Sequence, residues 1–249
     1  MAALWNIVAG TIKESDIVLE VVDARCVMDT RSIKLEKLAQ RFNKKIVIVV
    51  NKTDLISNES LNMLKKNIDL SRVFVSSKKR FGTRELKEAI FKRSKKNESA
   101  KVCVVGYPNT GKSSVINLLI RKKSAKESSQ PGYTKGTQWL RLKDNIMLLD
   151  TPGVVPQDEY FSVLKSNIRP ESVEDPESFA EELLEKIKDS RDNNIKEIYG
   201  IGYKDIDSFL SVVASNACYF KKGGIPDTGK AARKIIIDWN AGTLTAFWY

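Results

Sequence analysis

Four short runs rich in β-branched residues constrain this 249-residue chain more than any other feature. They occupy residues 16–22, 45–50, 72–76 and 101–105, and each is nearly continuous in apolar character rather than alternating. That is the signature of strands buried on both faces. Helical periodicity fills the gaps near 32–42, 58–67 and 83–96, with a further apolar helix predicted over 112–121. Strands alternating with helices predict a mostly parallel sheet covered on both sides. Residues 137–142 and 145–150 then read as an antiparallel pair turning at Lys143-Asp144. Beyond Gly153 the strand pattern stops, and helices are expected near 157–167, 176–189, 192–199, 204–218 and 227–240. The expected architecture is an α/β domain over 1–155, opened by an N-terminal helix, followed by a smaller all-α domain over 156–249.

Composition narrows the chemistry. At 42% hydrophobic residues the chain can bury one substantial core and a smaller second one. No apolar run reaches bilayer length, and the apolar start, Met1 to Ile12, lacks the basic flank and small-residue site of a secretory leader. It is expected to be a helix of a cytoplasmic protein. Cys26, Cys103 and Cys218 are far apart and the chain has no histidine. This argues against a Cys/His zinc site, a disulfide framework and any triad built on histidine. The three cysteines are expected to be reduced and buried. The formal net charge of +11 favours an anionic partner, nucleic acid above all.

Gly106-Tyr107-Pro108-Asn109-Thr110-Gly111-Lys112-Ser113 fits G-x-x-x-x-G-K-[ST] throughout, and it joins a strand to a helix as its mechanism requires. The glycines let backbone N–H groups curl around phosphate oxygens, and the helix N-terminus adds partial positive charge. Lys112 is expected to reach the β- and γ-phosphates. The Ser113 hydroxyl is expected to ligate Mg²⁺, with Thr110, Gly111 and Ser114 completing the cradle.

A phosphate loop does not choose a base; Asn51-Lys52-Thr53-Asp54 does, directly after an apolar strand. It matches the N-K-x-D signature of guanine-nucleotide-binding proteins. Asp54 can accept two hydrogen bonds from N1 and N2 of guanine, which adenine does not offer. Asn51 would brace the loop and the Lys52 stem would lie over the base. Val75-Ser76-Ser77-Lys78 resembles the S-A-K segment that covers the base edge, with the Ser77 N–H approaching guanine O6. Asp150-Thr151-Pro152-Gly153 matches D-x-x-G: Asp150 would hold Mg²⁺ through water and the Gly153 N–H would meet the γ-phosphate. Thr134 is the candidate mobile hydroxyl that joins Mg²⁺ when triphosphate is bound, with Thr137 as the alternative.

In ordinary small GTPases the phosphate loop comes first; here the N-K-x-D and S-A-K-like segments precede it. In that order the chain resembles the circularly permuted GTPases of the YlqF/YawG type, the RbgA-like ribosome-assembly family. Asp23-Ala24-Arg25 after Glu20-Val21-Val22 resembles the family's D-A-R strand end, and Pro131-Gly132-Tyr133-Thr134-Lys135 its switch segment. Gly223-Gly224-Ile225-Pro226-Asp227, with Ala231-Ala232-Arg233 and Asp238-Trp239, resembles its C-terminal signature. The family often has proline soon after D-A-R, where this chain has Cys26-Val27-Met28.

The resemblance implies a Mg²⁺-dependent GTPase cycling between GTP and GDP, a monomer acting on ribosomal RNA of an assembling large subunit, with no membrane attachment. Alternatives are a GTP-sensing RNA-binding protein with negligible hydrolysis, or a GTPase acting on another RNA. Val154 stands where many GTPases carry a water-orienting glutamine, so slow unstimulated turnover is expected. Asn109 resembles the phosphate-loop asparagine of potassium-stimulated GTPases, making K⁺ a candidate cofactor. Lys230, Arg233 and Lys234 fall on one helical face and, with Lys221 and Lys222, are the expected RNA contacts. Phe209, Leu210, Val212, Val213, Trp239, Phe247 and Trp248 are expected to be core.

Overall fold

The fold is described from a computed structural model, over residues 2–67, 72–94, 99–120, 138–143, 146–150 and 173–249. A six-stranded sheet has the order β3-β2-β1-β4-β6-β5. Its strands are β1 (Ile17–Asp23), β2 (Lys45–Asn51), β3 (Arg72–Phe74), β4 (Ala100–Val105), β5 (Gln138–Lys143) and β6 (Ile146–Asp150). All pairings are parallel except β5 with β6, the antiparallel pair the sequence predicts. Every residue of the central strand β1 is buried, because helices cover both faces. Those of the α/β part are α1 (Ala2–Glu14), α2 (Val27–Thr30), α3 (Ile33–Arg41), α4 (Asn58–Asn67), α5 (Thr83–Arg93) and α6 (Lys112–Ile120). The buried Glu20 in β1 accepts the Ser32 N–H through Oε1 at 2.6 Å, just ahead of α3.

From β1 the chain proceeds to β2 and β3 on one side, whereas β4 leads to β6 and β5 on the other. The β1–β4 boundary is therefore a switch point, and open α/β sheets bind ligands beyond the strand C-termini at such a crevice. Register places those termini together: Asp23 pairs with Asn51 across β1–β2, and Val104 with Asp150 across β4–β6.

The helical part holds α7 (Pro176–Ile187), α8 (Ile195–Tyr199), α9 (Ile206–Asn216) and α10 (Thr228–Ala241). Asp175, Asp205 and Asp227 each accept a backbone N–H three residues on, capping α7, α9 and α10. Leu183, Leu184 and Ile235 form a core there with Phe209, Leu210, Val213 and Trp239, the last four as expected; Trp248 packs against it partly buried, and Val212 is half-buried outside it. That core also takes in Cys26, while Phe247 packs with Val22, Ile48, Val50 and Leu64 of the sheet part. The stretch after D-A-R, undefined by sequence, is the short helix α2. Its Asp29 receives Trp248 Nε1 at 2.7 Å and Lys186 Nζ at 3.0 Å, tying the two parts together. Cys26 and Cys103 are buried as expected; Cys218 is exposed, because it follows the end of α9 in a left-handed turn at φ 56°. The helix predicted near 157–167 lies outside the described residues.

Candidate functional site

The phosphate loop follows β4 and opens α6. Its backbone needs the conformations glycine permits: Gly106 has φ 140° and Gly111 φ 92°, with Asn109 left-handed at 61°. A Cβ on Gly106 would lie 2.4 Å from the Val21 carbonyl oxygen, so the loop is pressed against β1. Lys112 is buried, and its Nζ donates to the Tyr107 carbonyl at 2.8 Å, as does the Thr110 hydroxyl at 3.0 Å. Ser113 and Ser114 occupy the first turn of α6.

The guanine-signature loop follows β2, and the two loops touch. Asn51 Nδ2 donates to the Thr110 carbonyl at 3.0 Å, and Asn51 Oδ1 accepts the Ser77 N–H at 3.2 Å. One buried amide thus ties together three segments that lie up to 59 residues apart. Thr53 Oγ1 donates to the Val75 carbonyl at 3.0 Å. Ser76 Oγ donates to Asp54 Oδ1 at 2.6 Å and accepts the Lys79 N–H at 3.0 Å, which fixes the carboxylate. The Ser77 N–H, expected to approach the base, serves here as a brace for Asn51. Gly111→Ala is expected to lower GDP affinity by about 100-fold or more, since its Cβ would sit 2.3 Å from Asn51 Nδ2 in a strained backbone. Calorimetric titration with GDP checks this.

Sequence reasoning did not assign roles to Asp23 and Arg25. Lys52 sits at φ 63° and its Nζ pairs with Asp23 Oδ2 at 2.8 Å. Arg25 holds the same carboxylate through Nε at 3.1 Å and NH2 at 2.8 Å. Its remaining nitrogen donates to the Trp239 and Leu244 carbonyls, at 2.8 and 3.2 Å, and its guanidinium lies 3.5 Å from the centre of the Trp239 ring. Burial alone would raise the Asp23 carboxyl, but Arg25 and Lys52 outweigh it and hold it well below the usual carboxylate range. Burial lowers Lys52, and Asp23 opposes that. The signal in the sequence was an acid and an arginine closing a buried strand.

Asp150 ends β6 beside β4, at the same edge as the phosphate loop. Hydroxyl and carboxylate oxygens of the Ser113 and Asp150 type suit a hard cation such as Mg²⁺. A cradle preshaped by glycines, with a lysine inside it, suits a polyphosphate. Thr134, Thr137 and Gly153 lie outside the described residues. Asn109 Nδ2 faces Asn240 Oδ1 at 3.4 Å, a second contact from the end of α10.

The expected basic face of α10 is partly committed elsewhere. Lys234 pairs with Asp238 at 2.6 Å, and Arg233 donates to the Gly229 and Val173 carbonyls at 3.3 and 3.2 Å. Lys230 remains exposed, 4.5 Å from the centre of the Tyr219 ring. Lys221 and Lys222 are exposed on a turn closed by the Lys221 N–H to the Ile225 carbonyl at 2.8 Å. Phe220 and Ile225 are exposed beside them, at 51% and 61%.

A family model described as 50S ribosome-binding GTPase matches residues 101–207. A GTP-binding protein of Methanocaldococcus jannaschii is 40% identical over 97% of this chain and 66% of its own length. Nuclear/nucleolar GTPase 2 of Arabidopsis thaliana is 34% identical over 98% of this chain and 44% of its own. The chain thus spans less than two thirds of these relatives. GNP-bound YlqF from T. maritima shares the fold with a TM-score of 0.68 at 23% identity, over 96% of this chain and 94% of that one. With the guanine loop ahead of the phosphate loop in sequence, yet bonded to it through Asn51, the chain has the circularly permuted GTPase fold of YlqF and is similar over nearly its whole length to GTP-binding proteins.

Proposed function

We propose that this chain binds GTP with Mg²⁺, hydrolyses it slowly until stimulated, and acts as a switch on ribosomal RNA of an assembling large subunit. The observation that carries the nucleotide part is the Asn51 amide, which holds the guanine loop 3.0 Å from the phosphate loop. Asp54 selects the base, and the loop backbone with Lys112 binds and orients the phosphates. Mg²⁺, held by Ser113, Asp150 and Thr134, would neutralise charge developing on the phosphates. The Gly153 N–H would sense the γ-phosphate. Residues 1–155 form the GTPase domain in this reading, and 156–249 the RNA-binding one.

The RNA part rests on the net charge of +11 and on the exposed Lys221, Lys222 and Lys230 around Phe220. Phosphates would meet the lysines, and an unpaired base could stack on Phe220. The proposed site of action is wherever pre-ribosomes are built. Among the described residues no helix is long and apolar enough to cross a membrane.

Single-turnover hydrolysis with and without ribosomal subunits tests the switch: stimulation supports it, and rapid turnover by the isolated protein overturns the slow-enzyme reading. Replacing NaCl by KCl is expected to raise the rate roughly tenfold through Asn109, and Asn109→Ala to erase the difference. Changing Lys221, Lys222 and Lys230 to glutamine is expected to make the log–log salt dependence of RNA binding shallower by about 2. Changing Arg233 and Lys234 should instead disturb the fold around α10. An unchanged salt dependence in the triple variant would place the RNA elsewhere.

A further inference from the structure

The buried chain of groups between Lys52 and α10 has no place in the nucleotide chemistry above. It begins in the guanine-signature loop, where the Lys52 Nζ takes Asp23 Oδ2 at 2.8 Å. The same oxygen receives Arg25 NH2 at 2.8 Å. Arg25 then reaches 214 residues along the chain to the Trp239 carbonyl and on to Leu244. Its own carbonyl accepts the Trp248 N–H at 3.0 Å. Asp23 and Arg25 are both buried, so neither can trade these partners for water, and a change at one end leaves a charge uncompensated at the other. Trp239 lies under the guanidinium and stacks on Trp248, their ring centres 5.6 Å apart. The relay thus joins the base loop to the docked end of the helical part through one shared carboxylate.

We infer that Asp23 and Arg25 are positioning residues for guanine binding: they set the place of the Lys52 stem and couple base occupancy to the docking of the 239–248 segment. This rests on the guanine reading of the Asn51–Asp54 loop. Within this relay Arg25 is the member that reaches the helical part, and Asp23 divides its charge between Arg25 and Lys52. Weakening the arginine's hold lets the carboxylate turn toward Lys52 and displaces the stem from its line over the base. By linkage, a base that fixes Lys52 also fixes Asp23, Arg25 and the carbonyls beyond them.

Arg25→Lys keeps the positive charge but cannot span both the carboxylate and the two carbonyls. It is expected to weaken GDP binding about tenfold while leaving inorganic tripolyphosphate, which has no base, unchanged. In the unaltered protein, GDP should slow amide exchange at Trp248 and in 239–244, and tripolyphosphate should not. The exchange arm decides the matter even if the variant does not fold. Equal losses for both ligands, unchanged GDP affinity, or exchange protection that follows phosphate alone would overturn the relay. Failure of the unaltered protein to bind GDP at all would instead sink the guanine reading. GDP bound normally, with no response at 239–248, sinks the relay only.

Discussion

Asp54→Asn is expected to lower affinity for GDP roughly 100-fold or more and to raise affinity for xanthosine diphosphate. The aspartate can accept from both the N1 and N2 groups of guanine, and Ser76 Oγ at 2.6 Å holds it in one orientation. An amide offers one acceptor and one donor, so one guanine N–H would meet an N–H. Xanthine has a carbonyl oxygen at C2, which that amide N–H can satisfy. Competition between GDP and XDP, measured calorimetrically in the two proteins, checks the exchange. A variant that loses GDP without gaining XDP would mean that the loop had been damaged rather than respecified.

The second large effect is on stability. Arg25→Met should destabilise the protein by about 3–5 kcal/mol, because it strips a buried carboxylate of its main partner and removes the side-chain donor from the Trp239 and Leu244 carbonyls. The pH dependence carries the sign. Asp23 is held well below the usual carboxylate range in the fold, so its contribution is fully present above the unfolded value of about 4. It is lost progressively as pH falls from there towards the folded value. Without Arg25 the carboxyl titrates higher, so the gap between variant and unaltered protein should narrow as pH drops from about 5 to 2. Urea unfolding at a series of pH values measures both the gap and its closure.

The nucleotide loops were legible because their chemistry is local. A glycine-lined turn between a buried strand and an apolar helix has few other uses, and Asn51-Lys52-Thr53-Asp54 sits at another strand end. Once parallel pairing is accepted, both must open at the same edge, and the Asn51–Thr110 bond follows. What the sequence withheld is contact between distant segments. Nothing local to Asp23-Ala24-Arg25 says that the arginine will meet carbonyls at Trp239 and Leu244. Spacing placed Lys230, Arg233 and Lys234 on one face correctly. It could not reveal that Lys234 is drawn to Asp238 and Arg233 to the Val173 carbonyl. Helix α2 was missed because four residues are too few for periodicity to register.

The uneven fate of the three thiols has a practical use. With Cys26 and Cys103 sealed in the interior and Cys218 in solvent, a maleimide dye should attach at one place without any prior mutagenesis. That place is two residues from Phe220. A fluorophore there would report on whatever docks against the Lys221–Ile225 turn.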